Sequence, residues 1–447
     1  MKVLVLSHTS DLIGGAERSM LDVFDNWTKK YSIEPIFILR EPLGTMVGEM
    51  NKRGWKYYPV KFTFWSYPKP PVTDEEVFTE YKVNSRAVKK IEKIIQKVSP
   101  DVVITNTIIS PWAALAAYLQ RLPHIWFVRE YGDLDHDRQF TLTHGQTYQD
   151  IGNLSNLVVA NSKTLASHIE KYVDKNKVAT LYNPFDLNTI AKRAATKVSN
   201  PYKYPDSLKL IMTSNIAHTK GQLDAVRATG LLNKKGMLVE LCLVGKNVDR
   251  PYNEKIEVAI KSDGLADKVH LIGQQPNVLA IVSLADIGVV ASRKEAFGRT
   301  TFECLALGKA VVGANSGATP EMIDPKTNGY LYEPGNSRQL AELLEHYAKD
   351  RTLIKKHGVA SRWKAKAMMQ SKLNSDSLYK KLQTVARGEG PEKRGPVHFL
   401  TYWDNYRAKL KATAAMSIRK TLRHRSRQIA KTNYYRVRKI RAKLTGK

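Results

Sequence analysis

The chain has 447 residues, too many for a single hydrophobic core and suited to two α/β domains with additions. Its two cysteines, Cys242 and Cys304, exclude a disulfide framework and a cysteine-based metal cluster. Lys and Arg number 71 against 42 Asp and Glu, a net +29, and residues 388–447 hold 17 basic and 3 acidic residues, so about half of the excess is local to the C-terminal end. Between Met1 and the polar loop the opening MKVLVLSH carries four apolar residues, too few for a secretory apolar region. No window reaches bilayer-crossing length, since even Ile108–Leu119 is short and contains a proline. These features predict a cytoplasmic protein.

In chain order, short apolar runs bounded by turn residues predict strands at Val3–Ser7, Pro35–Leu39, Trp55–Val60, Val102–Thr105, His124–Val128 and Leu157–Ala160. Helices are expected between them at Ala16–Lys29, Val83–Val98 and Pro111–Leu119. The polar stretch AKRAATKVSNPYKYPDS (191–207) reads as a linker. The alternation then resumes with strands at Leu208–Thr213, Leu238–Val244, Val269–Ile272, Ile287–Ala291 and Ala310–Gly313. Short buried strands alternating with helices imply parallel sheets covered on both faces. The expected fold is α/β: two Rossmann-like parallel-sheet domains facing a cleft, over 1–192 and 208–372, joined by a linker at 193–207. A helix at 373–387 and a basic helical tail at 388–447 follow.

Residues 295–303, EAFGRTTFE, set Glu295 and Glu303 eight positions apart around Phe297-Gly298. A helix starting near Gly298 would put Glu295 just before it and Glu303 one to two turns inside. Both carboxylates would then reach one ligand, beside free backbone N–H groups suited to phosphate. The other reading of this spacing is a pair of solvated charges. Gly14-Gly15 after the first strand could likewise bring the backbone close to a ligand, or form a plain tight turn.

The 295–303 segment resembles the E-x7-E motif of the retaining glycosyltransferases of family 4, which have the GT-B fold. The likeness runs in order over most of residues 1–385. It takes in MKVLVLSHTSDLIGGAERSMLDV, NLVVANSKTLASHI (156–169), Tyr182-Asn-Pro-Phe-Asp186 and LKLIMTSNIAHTKGQLDAVRAT (208–229). The resemblance implies that Glu295 contacts the hydroxyls of a donor sugar and Glu303 the ribose of its nucleotide. Lys220 would hold the diphosphate, and the amides of Phe297, Gly298 and Arg299 would line sugar and phosphates. Gly14 and Gly15 would border the diphosphate and the acceptor. It also implies that the helix near Asp376–Arg387 crosses back onto the first domain, and that catalysis depends on position and charge rather than on a strong base.

Two departures stand out. Relatives carry an arginine five residues before the lysine, whereas this chain has Asn215; either Arg299 compensates or the leaving group is less stabilised. Where relatives often place an acceptor-facing histidine, this chain has Arg129-Glu130. Glu130 is expected to take that catalytic position, with His136 the alternative there; Arg129 and His136 are acceptor-binding candidates, Arg129 for an acceptor phosphate, and an Arg129–Glu130 salt bridge is the other reading. Asp133-Leu-Asp135 resembles a metal-binding Asp-x-Asp, but that motif belongs to another fold, so no metal and no cofactor beyond the nucleotide-sugar donor are expected.

Residues 399–447 mix aromatics with basic residues, and Leu410, Ala414, Ile418 and Leu422 recur every four positions. A basic amphipathic helix of this kind suits an anionic membrane surface and a peripheral enzyme on the inner face. The sequence therefore points to sugar transfer from a nucleotide-diphosphate sugar to a glycan or lipid-linked acceptor, in cell-surface polysaccharide or glycolipid synthesis. Non-catalytic nucleotide-sugar binding and a nucleic-acid acceptor are the alternatives; no recognised nucleic-acid motif accompanies the charge.

Overall fold

Local capping and burial patterns explain where the elements begin and end. The computed structural model describes residues 1–12, 14–67, 73–136, 138–371, 373–391 and 395–408. One helix shows the local logic. Thr73 accepts from the Glu76 N–H while the Glu76 carboxylate accepts from the Thr73 N–H, so the helix Asp74–Val98 starts nine residues before the predicted Val83.

The first sheet has seven parallel strands in the spatial order Lys56–Val60, Glu34–Arg40, Lys2–Leu6, Val102–Asn106, His124–Val128, Leu157–Ala160, Val178–Thr180. The second has six, in the order Val269–Leu271, Val239–Val244, Leu208–Thr213, Ile287–Val290, Ala310–Ala314, Gly329–Tyr332, again all parallel. In each sheet the chain starts inside, works to one edge, and then jumps back across its first strand. That reversal leaves a crevice at the strands' C-terminal ends. Val3 to Leu6 and Val102 to Ile104 are fully buried, as strands covered by helices on both faces must be. The edge strands Val178–Thr180 and Gly329–Tyr332 were not expected from the sequence. A small antiparallel pair, Ser66–Tyr67 with Gln139–Phe140, stands apart from both sheets.

The polar stretch near 193–207 is docked rather than loose. Tyr202 is buried and donates to the Leu210 carbonyl, and the Lys203 and Tyr204 amides donate to the buried Glu240 carboxylate. The chain enters the second lobe earlier, at Tyr182. This residue joins that lobe's core, and the helix Leu187–Ala194 packs on the helices Val278–Leu284 and Arg299–Ala306. After the second lobe the helix Ser375–Ala386 lies on the first lobe's helix Gly15–Lys30. Trp27 Nε1 donates to the Ser375 carbonyl at 2.8 Å, and Tyr31 stacks on Tyr379 at 3.7 Å. Residues 395–408 form a separate unit, with a helix over 398–408 in which Phe399 meets Trp403. Leu410, Ala414, Ile418 and Leu422 lie outside the described residues. Among the described residues, no helix is long and apolar enough to cross a membrane.

Candidate active site

A cavity of about 540 Å³ opens between the two sheets, and its lining is supplied mainly by residues that follow strand C-termini. His8 and Gly14-Gly15 come after Lys2–Leu6, Thr107 after Val102–Asn106, Arg129 and Glu130 after His124–Val128, and Asn161 after Leu157–Ala160. Across from them stand Ser214, Asn215 and Lys220, following Leu208–Thr213, and Ser292 and Glu295, following Ile287–Val290. Parallel strands end on one side of a sheet, so residues distant in sequence converge here.

Lys220 Nζ lies 3.2 Å from Glu295 Oε2, with both side chains about one-fifth exposed. Burial pushes the Glu295 carboxyl up, but the charge and hydrogen bond of Lys220, with the Ser292 hydroxyl, hold it below the ordinary carboxylate value. Lys220 is raised in turn: Glu295 outweighs the burial that would lower it. Gly221 fixes this lysine's loop. Its φ is +72°, and a Cβ would stand 2.2 Å from the Ala291 carbonyl oxygen, so no other residue fits without a shift. Asn215 is exposed at the cavity's rim.

The motif helix is Arg299–Ala306, with Gly298 as its N-cap. Glu303 does not line the same cavity as Glu295. It lines an adjoining cavity of about 680 Å³, and Arg299 borders both. Burial raises the Glu303 carboxyl, partly offset by Arg299, Arg18 and Arg193. Arg299 Nη1 donates to Ser19 Oγ at 2.7 Å and lies 3.4 Å from Asp22, bridging to the first lobe beside Gly15. The Phe297 ring is buried, tilted against Tyr182 and stacked near Phe185, so only its backbone is free to serve a ligand. A second bridge between lobes is Glu321, which accepts from the Lys163 and Thr164 amides and from the Tyr182 hydroxyl.

Arg129 and Glu130 do not pair with each other by hydrogen bond. Glu130 accepts from the Ile108 N–H at 2.8 Å, and burial raises its carboxyl. Arg129 donates to Asn106 Oδ1 and Asn183 Oδ1, while its Nη2 has no partner; burial lowers it to about 10. His136 is half exposed on the same wall. Asp135 caps the Tyr131 and Gly132 amides, and Asp133 meets His144 through Oδ2 while its Oδ1 has no hydrogen-bond partner. Among the described residues no group of three His, Cys, Asp or Glu is placed to hold a metal ion.

Sequence reasoning missed His8 and Glu17. Glu17 accepts from the Gly14 N–H at 2.9 Å and meets His8 Nε2 at 3.0 Å, tying the glycine loop to the first strand. It also missed Asn106 and Asn183. The N-cap before Glu17 is Gly14, so an S/T-x-x-E search passes over it, and nothing local marks the asparagines.

Residues 13–189 match the family model described as Glycosyltransferase Family 4, and residues 196–367 the one described as Glycosyl transferases group 1. Among curated proteins, the chain is similar to N-acetyl-alpha-D-glucosaminyl L-malate synthase of Bacillus anthracis, 29% identical over 52% of this chain and 59% of that protein. It is similar also to N-acetylgalactosamine-N,N'-diacetylbacillosaminyl-diphospho-undecaprenol 4-alpha-N-acetylgalactosaminyltransferase of Campylobacter jejuni, 25% identical over 50% of this chain and 59% of that protein. The chain spans about half the length of the curated relatives it matches. Among solved structures, HepE of Anabaena in complex with UDP superposes with a TM-score of 0.67 at 19% identity, covering 86% of this chain and 99% of that one. A glycosyltransferase from Rickettsia africae gives 0.69 at 21% identity, covering 87% and 99%. These likenesses establish the two-lobed GT-B architecture.

Proposed function

The chain belongs to glycosyltransferase family 4, and from that membership we propose that it moves a sugar, with retention of anomeric configuration, from a nucleotide-diphosphate sugar to a glycan or lipid-linked acceptor. The observation that carries the reading is the Lys220–Glu295 pair beside Arg299: one carboxylate for sugar hydroxyls, next to two cations for a diphosphate. Lys220 turns from Glu295 to the leaving diphosphate as charge develops on it, and freed Glu295 takes the sugar's hydroxyls. Arg299 supplies the second cation in place of the arginine that Asn215 replaces, and with Lys220 it serves where other transferases use a metal. Glu303, in the adjoining cavity, accepts from the ribose hydroxyls. Glu130 lies on the acceptor wall, within the field of His8, and steadies the incoming hydroxyl. Relatives named for a malate acceptor and for a diphospho-undecaprenol-linked acceptor support a role in glycoconjugate or cell-surface polysaccharide synthesis. The tail from residue 395 holds 15 basic residues and one acidic residue, which supports contact with an anionic membrane surface.

Glu295→Ala tests the assignment. Donor turnover should fall by about 10²–10³-fold, with the far-UV circular dichroism unchanged. Full turnover in a folded variant would overturn the reading.

A further inference from the structure

Arg129 is a buried charge to which no carboxylate is hydrogen-bonded, although the charges of Glu130, Glu17 and Asp22 act on it through space. It is 8% exposed, on the first lobe's wall of the 540 Å³ cavity. Its Nε donates to Asn106 Oδ1 at 2.5 Å and its Nη1 to Asn183 Oδ1 at 2.8 Å. Both partners are amides that orient a guanidinium and leave its charge intact. A carboxylate at either position would have satisfied the same hydrogen bond and offset the burial. The remaining amino group, Nη2, has no partner.

The other charges of the cavity are engaged within the protein. Lys220 is paired with Glu295, Arg299 with Asp22, and Glu17 with His8, while Glu130 and Asp135 accept from backbone amides. Arg138, on the same wall, is held by the neutral Ser66 through its hydroxyl and carbonyl. Two cations with neutral partners thus stand on the lobe opposite the Lys220–Glu295 pair. A planar guanidinium with a free edge fits the paired oxygens of a carboxylate or phosphate, and a desolvated setting strengthens that bond.

We infer that the acceptor carries an anionic group, a phosphate or a carboxylate, and that Arg129 binds it through the edge the asparagines leave open. The inference rests on the transferase reading and names the acceptor class for that site. The anion anchors the acceptor on the first lobe, and the hydroxyl that receives the sugar extends from it toward Glu295.

The test is calorimetric titration of the full chain with UDP saturating, so that the diphosphate position is filled. The probes are inorganic phosphate, malate as a hydroxy-dicarboxylate, and glycerol as the neutral control. The wild type should bind at least one anion and ignore glycerol. Tighter phosphate binding would assign a phosphorylated acceptor, and tighter malate binding a carboxylated one. Arg129→Gln should weaken anion binding at least tenfold, and Arg129→Lys should restore part of it. Asn183→Asp covers the case in which Arg129→Gln does not fold: it neutralises the guanidinium in place, so it should raise the melting temperature while weakening the anion by a similar factor. Unchanged anion affinity in folded Arg129→Gln or Asn183→Asp would overturn the proposal, as would a wild type that binds UDP and neither anion. A wild type that binds none of UDP, GDP, ADP and CDP would instead overturn the transferase reading; if one of the others binds and UDP does not, that nucleotide replaces UDP in the titration.

Discussion

Glu295 is favoured in its ionised form by Lys220 despite its burial, and that has a measurable pH signature. Its carboxyl is held below the ordinary glutamate value in the folded state, so its contribution to stability is present above that value and is lost as the pH falls through the depressed one. Glu295→Gln leaves Lys220 without its charge partner, which should destabilise the fold by about 1–3 kcal/mol at pH 7. Thermal melts should show this gap closing as the pH drops below about 4.5, where the wild-type carboxyl also takes a proton. Glu303 has the opposite sign. Its carboxyl is raised, so its contribution is present below the ordinary value and lost as the pH rises through the raised one. Glu303→Gln should therefore melt no lower than the wild type at pH 8, while UDP titration shows affinity weaker by about tenfold, the loss of one hydrogen bond to a charged group. The two glutamates stand out in the sequence because an eight-residue spacing is a local signal, whereas Lys220 is singled out only by the family resemblance. His8, Asn106 and Asn183 do not stand out. Each is an ordinary polar residue on its own segment, and only the convergence of strand ends makes them neighbours.

Among the elements, the motif helix depends on one residue. Gly298 has φ +89°, and a Cβ there would lie 2.9 Å from Thr301 Oγ1 and 3.3 Å from Glu295 Cγ. Gly298→Ala should cost about 1–3 kcal/mol in strain and displace Glu295, so melting temperature and turnover should fall together. A variant with wild-type turnover would show that the helix start tolerates an ordinary backbone. The position of this helix was readable, since the Phe-Gly pair marks the end of the preceding loop. Central strands were readable for a similar reason: runs such as Leu210–Met212 and Ile125–Val128 are apolar throughout. The edge strands Lys56–Val60 and Val269–Leu271 were read, but their opposite edges Val178–Thr180 and Gly329–Tyr332 and the early start of Asp74–Val98 escaped; the capping box sits outside the apolar pattern.

For the whole molecule, the regular alternation of strands and helices disclosed two parallel sheets, but not how the lobes are joined. Tyr182 and Phe185 belong to the second lobe's core because they meet Phe297 and Phe302, more than a hundred positions later in the chain. The stretch near 193–207 has a linker's polarity, yet its amides are consumed by Glu240. The excess basic charge is also a property at this scale. Removing residues 395–447 should abolish sedimentation with anionic vesicles at low salt and leave thermal unfolding of the remaining chain cooperative. Retained vesicle binding would show that the attraction lies in the two lobes.

The two segments that pass between the lobes run side by side, and the Tyr182 N–H donates to the Leu373 carbonyl at 2.9 Å. Two adjacent, mutually bonded tethers act as a hinge pin. They let the halves swing about one line and resist sliding or twisting past each other. Any swing of the halves should then follow a single arc and return Lys220 and Glu295 to the same alignment opposite Arg129.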